Sequence, residues 1–277
     1  MRTIGAALVI AATTAIVTSA ATAGNGSASL NEAHRLFYNG RYEAAASLAF
    51  DVRAANPDSL AASELRTSAL HFQMRRALGE PKNREIAWKQ CAACQELMPV
   101  FMTELAAGQT AARARLEKNP ADAEAMFFLG KLDLNYVWLQ LGTVGRKTGW
   151  SEYWEARKSL DTVLKTNPGH VRAQVARAWI DYIVDTKLPR GTKWMLGGGN
   201  RKKGLLAVQE AARSAVDPFV QAEAMFGLWD MQVRERNMAD AVVTARALME
   251  DFPDNEDLAK FIAVHDSRAN FTNAAVR

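Results

Sequence analysis

The sequence predicts an all-α protein, an α-solenoid in which about five helical hairpins stack on one another. The first supporting observation is a repeated segment, because Ala123 to Phe127 and Ala222 to Phe226 both read Ala-Glu-Ala-Met-Phe. The second is an Asn-Pro pair that recurs at positions 56–57, 119–120 and 167–168. The third is a set of small and apolar residues that lie at equal distances before Pro57 and Pro168. Repetition of one helical unit is typical of stacked helical hairpins.

Two predicted hairpins precede Pro120. In the first, the turn 40–42 joins a helix over 31–39 to a helix over 43–55. Asn56-Pro57 ends this hairpin, because proline lacks the N–H that continues a helix and disfavours helix in the residue before it. The second hairpin has a helix over 60–78, a break at 79–82 and a helix over 84–107 that carries both cysteines. Residues 109–118 then lead to Asn119-Pro120.

Three predicted hairpins follow Pro120, and two of them contain an inserted loop. The first runs over 121–141 and 151–165 with the loop 142–149 between them, and the second over 171–185 and 200–214 with a glycine-rich and basic loop between them. The last runs over 220–236 and 239–251, and a helix over 256–266 caps the stack. Pro218 and Pro253 are 35 residues apart, whereas the two preceding intervals are 48 and 50 residues, which places the extra length in the two loops.

The two ends of the chain are expected to differ from the single repeat domain over 31–268. Residues 1–23 have the basic, apolar and small-residue regions of a secretory signal peptide, with cleavage after Ala23; a retained membrane anchor is the alternative. Residues 24–30 are expected to be flexible and 269–277 to form a loose tail. The mature chain is therefore predicted to be periplasmic, with no membrane span. Its formal net charge before cleavage, +4, is too small to indicate nucleic-acid binding.

The turn pattern Gly40-x-Tyr42-x-x-Ala45 resembles the tetratricopeptide repeat (TPR), in which a small residue lies where two helices cross closely. The order of Asn-Pro, Ala-Glu-Ala-Met-Phe-Phe-Leu-Gly, a long helix, Asn-Pro and a Leu-Gly-Gly-Gly-Asn-Arg-Lys-Lys-Gly loop resembles exported bacterial TPR proteins. Some of these are similar to the T component of tripartite ATP-independent periplasmic (TRAP) transporters. The resemblance implies a small ligand or a substrate-binding protein as partner. No cysteine stands directly after the predicted cleavage site to accept a lipid, so the chain departs from the lipoprotein members.

Candidate ligand residues lie in and beside the two inserted loops. Asn200 follows three glycines at a helix start, and Arg201 and Lys202 add positive charge, which favours an anion-binding site; a tight glycine connection without a ligand is the alternative. A cavity with aromatic walls and a basic rim is predicted from six further residues, which are Arg146, Lys147, Trp150, Arg190, Lys193 and Trp194.

Cys91 and Cys94 are one helical turn apart and could form a local disulfide or pack as small apolar residues. No second pair or nearby histidine completes a metal site, and Gln95 stands where covalent haem attachment requires histidine. The four histidines are far apart, and the acidic residues, Asp133 among them, show no paired arrangement. The sequence therefore predicts no catalytic site, no metal and no cofactor.

The predicted function is that of a non-catalytic periplasmic binding or scaffold protein. Its concave face would hold an unidentified protein partner of the cell envelope as a helix or an extended peptide. The alternative is a small-ligand-binding accessory protein of a transporter, in which the loops 142–149 and 189–204 form a pocket for an anionic or amphipathic ligand.

Overall fold

A computed structural model describes residues 17–146, 148–187 and 196–274, and within them the chain is all-α. Its helices are α1 (Val17–Tyr38), α2 (Tyr42–Ala55), α3 (Leu60–Leu78), α4 (Arg84–Gln90), α5 (Ala92–Lys118), α6 (Ala123–Val137), the π-helix π1 (Trp138–Val144), α7 (Trp150–Thr166), α8 (Val171–Lys187), α9 (Arg201–Ser214), α10 (Pro218–Arg234), α11 (Met238–Asp251) and α12 (Glu256–Ala274). The prediction of an all-α protein is confirmed for these residues.

The helix predicted over 84–107 is wrong at two places. The backbone of Cys91 is extended, and its Sγ accepts a hydrogen bond from the N–H of Cys94 at 3.2 Å, so Cys91 separates α4 from α5. Helix α5 then continues through Gly108 to Lys118. A Cβ atom on Gly108 would lie 2.9 Å from Leu132 and 3.1 Å from Ser63, so this glycine allows close packing of α5 instead of ending the helix.

The helix predicted over 121–141 changes its hydrogen-bonding pattern before it ends. It is α-helical to Val137 and π-helical over Trp138–Val144, so residues 142–144 of the predicted loop are helical. Contacts from α3 and α4 hold this segment: Nε2 of His71 lies 2.8 Å from Oγ1 of Thr143, and Arg84 donates to the carbonyl of Gly142 at 2.6 Å. A π-helical turn of this kind is often found at functional sites.

Both ends of the described chain are more helical than the sequence predicts. Helix α1 includes residues 24–30, where a flexible segment is expected, and Leu30 packs against Ala33, Ala49 and Leu65. Helix α12 continues to Ala274, because no proline or glycine interrupts it after Asp266. Residues 1–16 and 275–277 lie outside the described residues, and cleavage after Ala23 stays a prediction.

Most consecutive helices pack against each other, and one helix of each predicted hairpin contributes to the interior. We call α1, α3, α6, α8 and α10 the inner helices; α3 contacts α1 and α6, and α10 contacts α1 and α8. Ala45, which the repeat pattern predicts at a close helix crossing, is fully buried, and so are Ala156 and Ala241, the small residues at the corresponding positions of two later hairpins. Their small side chains let the paired helices approach closely.

The first hairpin also contacts the last one. The side-chain amide of Asn255 donates to the carbonyl of Tyr38 at 2.6 Å, and the N–H of Asp254 donates to Oδ1 of Asn39 at 3.0 Å. The Tyr38 ring lies 5.3 Å from the rings of both Phe226 and Phe252. We call this set the closing contact, because it joins residues more than 180 positions apart and brings α1 against α10.

Candidate functional site

The structure places part of the predicted loop pocket at the beginning of α7. Trp150 is the first residue of that helix and its side chain is 43% exposed, and Arg146 is exposed in the preceding loop. Part of the second loop, Leu196, packs on the same helix: Tyr153 donates from its hydroxyl to the Leu196 carbonyl at 2.8 Å. Lys147, Arg190, Lys193 and Trp194 lie outside the described residues, so the predicted pocket stays a prediction.

The predicted anion site at the start of α9 is engaged within the chain. Oδ1 of Asn200 accepts from the N–H of Lys203 at 2.9 Å, and Oδ2 of Asp185 accepts from the N–H of Arg201 at 2.9 Å. The guanidinium of Arg201 pairs with Glu235 at 3.1 Å, while Lys202 is exposed. A carboxylate thus occupies the helix end where the anion was expected, and Arg201 has an internal partner.

The glycines before Asn200 have a structural explanation. Arg157 donates to the carbonyls of Leu196 at 3.0 Å, Gly197 at 2.6 Å and Gly198 at 3.3 Å, which fixes the loop on α7. A Cβ atom on Gly199 would lie 2.7 Å from the carbonyl oxygen of Asp181. At Gly199 the loop therefore lies so close to α8 that a larger residue would not fit, whereas Gly197 and Gly198 have positive φ angles, which favour glycine.

Cys91 and Cys94 form a disulfide, which decides between the two alternatives left by the sequence. The bond closes the junction between α4 and α5. Trp88 and Cys94 are both buried in the same apolar cluster, so the pair also contributes to packing.

The most unusual group of side chains lies between the inner helices. Glu64 of α3, Lys131 of α6, Arg172 of α8 and Glu223 of α10 form a network of four charges, which we call the ion quartet. Arg172 donates from Nε to Glu223 at 2.6 Å and from Nη2 to Glu64 at 3.1 Å. Lys131 pairs with Glu223 and lies 3.6 Å from Glu64. Two negative and two positive groups therefore balance each other.

The quartet is held in its charged form by its own pairing. Burial alone would raise the pKa of Glu223, but Arg172 and Lys131 overcome this effect and lower it. The pKa of Glu64 is lowered in the same way, and the two carboxylates raise the pKa of Arg172 and of Lys131 against the effect of burial. All four groups are therefore ionised at neutral pH.

A cavity of about 200 Å³ lies beside the quartet. Arg172 and Glu223 line it, and their side chains retain 18% and 15% exposure. The other lining residues come from α1, α3 and the start of α10, and they are Leu30, Asn31, His34, Tyr38, Ala61, Asp217, Phe219 and Val220. Asn31 and Asp217 are exposed, so the cavity extends from the surface towards the charged groups in the interior.

Aromatic rings form one wall of this cavity. The His34 ring stacks on Phe219 at 5.3 Å, and the rings of Tyr38 and Phe219 are nearly parallel at 6.5 Å. Burial, with Arg172 as the second cause, lowers the pKa of His34 to about 4, so its imidazole is neutral at pH 7. Its Nδ1 is buried and has no hydrogen-bond partner among the described residues. The wall thus combines apolar faces with an unused polar atom.

A second buried acid lies on α6, away from the cavity. Asp133 is fully buried, and Gln109 donates to its Oδ1 at 2.6 Å. Burial and the neighbouring Glu155, whose carboxylate pairs with Arg113 at 2.6 Å, raise the pKa of Asp133 to about 8. The sequence-based expectation that Asp133 has no acidic partner is therefore wrong, because α7 brings Glu155 to it.

Sequence reasoning missed the ion quartet even though two signals were present. Glu223 belongs to the repeated Ala-Glu-Ala-Met-Phe segment, and Lys131 lies four residues after the end of its first copy. The corresponding glutamate of the first copy, Glu124, is exposed and pairs with Arg115. Position within a repeat therefore did not reveal which glutamate is buried.

In the described ranges, no helix combines the length and the apolar character that a bilayer span requires. Across the same residues, no group of three or more His, Cys, Asp and Glu side chains is arranged to hold a metal ion. No model of a known protein family and no curated protein sequence matches the chain. The candidate site is therefore interpreted from its own geometry.

Proposed function

We propose that this protein is a non-catalytic binding protein of the bacterial cell envelope that holds a small molecule in the cavity between its inner helices. The observation that carries this proposal is the position of Arg172 and Glu223, whose charged groups lie at the wall of a cavity that also has apolar and aromatic surface. Ligand sites typically combine apolar walls with a few convergent polar groups.

The energetics of the quartet support a role beyond stability. Removing two ion pairs from water costs several kcal/mol per charge, so replacing a buried network by apolar residues of similar size is often neutral or stabilising (about 1–4 kcal/mol). Burial of Glu64, Lys131, Arg172 and Glu223 therefore adds little to the stability of the folded state by itself. Charged groups kept at the wall of a cavity are suited to recognise a polar ligand.

The space between the inner helices favours a small molecule over a peptide. A scaffold that holds a partner on its concave face needs an open groove along these helices. Tyr38, Phe226 and Phe252 pack together where the first hairpin meets the last one. The quartet fills the space between α3, α6, α8 and α10. A cavity of about 200 Å³ accommodates a ligand no larger than a small metabolite.

We further propose that the paired helices form a TPR-like solenoid and that the chain is exported. Support for the solenoid comes from the pairing of consecutive helices and from the fully buried Ala45, Ala156 and Ala241 at their crossings. Support for export comes from the signal-like residues 1–23 and from the sequence resemblance to exported TPR proteins. Small-molecule binding then suits an accessory role at a transporter.

The first test is to block the cavity. Val220 lines it from the first turn of α10, so Val220→Phe should fill the space and abolish binding of a small molecule. Val216→Phe is the matched control, because Val216 lies four positions earlier and is 98% exposed. Native mass spectrometry of the purified full-length protein and a thermal-shift screen against a metabolite panel identify the ligand, and circular dichroism checks the fold of both variants.

The expected result is a ligand that binds the wild type and Val216→Phe alike and does not bind Val220→Phe. Equal binding to Val220→Phe would place the ligand elsewhere. A wild type that carries no small molecule and shows no thermal shift with any metabolite would contradict the proposal.

One observation favours a second function, protein interaction through α7. Trp150 and Trp154 lie one turn apart on this helix and are each 43% exposed, and Lys158 and Lys165 are exposed further along it. Exposed tryptophans beside basic side chains are suited to bind an acidic segment of a partner. Trp154→Ala should then remove a partner that the wild type retains from a cell-envelope extract, while Val243→Ala, at an exposed position on α11, should not.

A further inference from the structure

The cavity offers charged groups of opposite sign at its two ends. Arg172 lies at the inner end, and Asp217, the N-cap of α10, lies at the exposed end. Both groups lie close enough to His34 and Tyr38 to affect the pKa of each of these side chains. A ligand between the two ends would meet a positive group on one side and a negative group on the other.

Each of the two groups keeps hydrogen-bonding capacity. Arg172 uses Nε for Glu223 and Nη2 for Glu64, and its Nη1 makes no hydrogen bond to any described residue. Asp217 accepts from the N–H groups of Phe219 and Val220 through Oδ1 alone. One guanidinium nitrogen and one carboxylate oxygen thus remain for a ligand.

Most of the intervening wall is uncharged. His34 is neutral at pH 7, and Phe219, Tyr38 and Leu30 supply apolar surface. Glu223, the other charged residue of the wall, has each of its carboxylate oxygens engaged, by Lys131 and by Arg172. A ligand with a single charge would satisfy one end of the cavity and leave the other without a partner.

Building on the proposed binding function, we infer that the cavity accepts a small zwitterion, with its carboxylate towards Arg172 and its ammonium group towards Asp217. Charge-assisted hydrogen bonds at both ends would fix the orientation of the ligand. Arg172 is hydrogen-bonded to Glu223 at 2.6 Å, and Glu223 lies six residues after Asp217 along α10, which is a rise of ~9 Å. This spacing along the helix favours a zwitterion whose charges are several bonds apart, such as an ω-amino acid, over an α-amino acid.

The test uses a matched set of ligands with the purified full-length protein. γ-Aminobutyrate carries both charges, butyrate lacks the ammonium group, butylamine lacks the carboxylate, and L-valine has its charges close together. Isothermal titration calorimetry should show γ-aminobutyrate binding at least about tenfold more tightly than butyrate or butylamine, since each lacks one charge-assisted contact. If L-valine bound more tightly than γ-aminobutyrate, the ligand would still be a zwitterion, but one whose two charges are close together.

Asp217→Asn tests the ammonium contact without removing the helix cap, because asparagine is an equally good N-cap. It should weaken binding of γ-aminobutyrate about tenfold and leave butyrate unchanged. Asp122→Asn, the same change at the N-cap of α6, is the control and should alter neither.

Two outcomes separate this inference from the function on which it rests. If butyrate or butylamine binds as tightly as the zwitterions, or if another class of molecule binds and Val220→Phe prevents it, the zwitterion inference fails and the binding function stands. If no molecule of any class binds, both fail.

Discussion

At the scale of single residues, the environment decides what a side chain does. Glu124 and Glu223 occupy the same position in two copies of one segment, yet Glu124 pairs with Arg115 at the surface and Glu223 lies in the ion quartet. The repeated sequence predicts a helix at both places and predicts it correctly. Burial of Glu223 depends on α3, α6 and α8, whose approach cannot be read from the segment itself.

Asp133 leads to a prediction about pH dependence. Its pKa is raised to about 8 in the folded protein but is close to 4 in an unfolded chain, so the native state binds the additional proton between these values. The free energy of unfolding should therefore fall as the pH rises from about 4 to about 8. Asp133→Asn keeps the acceptor for Gln109 but has no carboxyl group that titrates. Its free energy of unfolding should therefore fall less across this range than that of the wild type, by at least about 1 kcal/mol.

Urea denaturation at intervals between pH 4.5 and 8.5 measures this difference. Asp58→Asn, at an exposed loop position before α3, is the control and should follow the wild type. Parallel pH profiles of the wild type and Asp133→Asn would show that Asp133 is not protonated in the folded state.

At the scale of helices, the sequence predicts where most helices lie better than it predicts where a helix breaks or where two helices pack closely. The starts of α3 and α4 agree with prediction, and Asn200 caps α9 at its predicted start. The predicted helix over 84–107 stops before Gly108, whereas in the structure this glycine lets α5 approach α3 and α6. Only the neighbouring helices distinguish a glycine that ends a helix from one that permits close packing.

Gly204 tests this distinction directly. It lies inside α9, where alanine would ordinarily stabilise a helix by about 1 kcal/mol. A Cβ atom there would lie 2.7 Å from the carbonyl oxygen of Ala178 on α8, so we expect Gly204→Ala to lower the free energy of unfolding by ~1–3 kcal/mol. Gly142→Ala, where the added Cβ meets no atom within 4 Å, should change it by less than about 1 kcal/mol.

Chemical denaturation of both variants at one pH provides the comparison. A Gly204→Ala protein as stable as the wild type would mean that α8 and α9 separate easily, and the helix pair would then not be closely packed.

At the scale of the whole molecule, the sequence predicts the all-α class but not the closing contact. The expectation of an open concave face rests on helical stacking alone, and nothing in the repeat pattern indicates that Asn255 reaches Tyr38. The candidate site shows the same limit. Its residues come from α1, α3, α8 and α10. The closing contact brings α1 against α10 and so assembles the site.

The buried part of the closing contact should matter more than its surface ion pairs. Asn255 is buried, donates to Tyr38 and accepts from the N–H groups of Asp257 and Leu258, so Asn255→Ala should lower the free energy of unfolding by ~1–3 kcal/mol. Arg41 pairs with Asp254 at the surface, and Arg41→Ala should cost less than about 1 kcal/mol. Urea denaturation gives both values, and limited proteolysis should cut α12 faster in Asn255→Ala alone. Equal effects of the two substitutions would contradict this assignment.

The closing contact also has an evolutionary consequence. Open repeat arrays gain or lose units easily, because each unit touches only its neighbours and the array has free ends. Here α1 and the first turn after it lie against α10 and the segment before α12, so one unit more or fewer would separate Tyr38 from Asn255. We therefore expect sequence variation that preserves the closing contact to change loop lengths and side chains instead of adding or removing a helical hairpin.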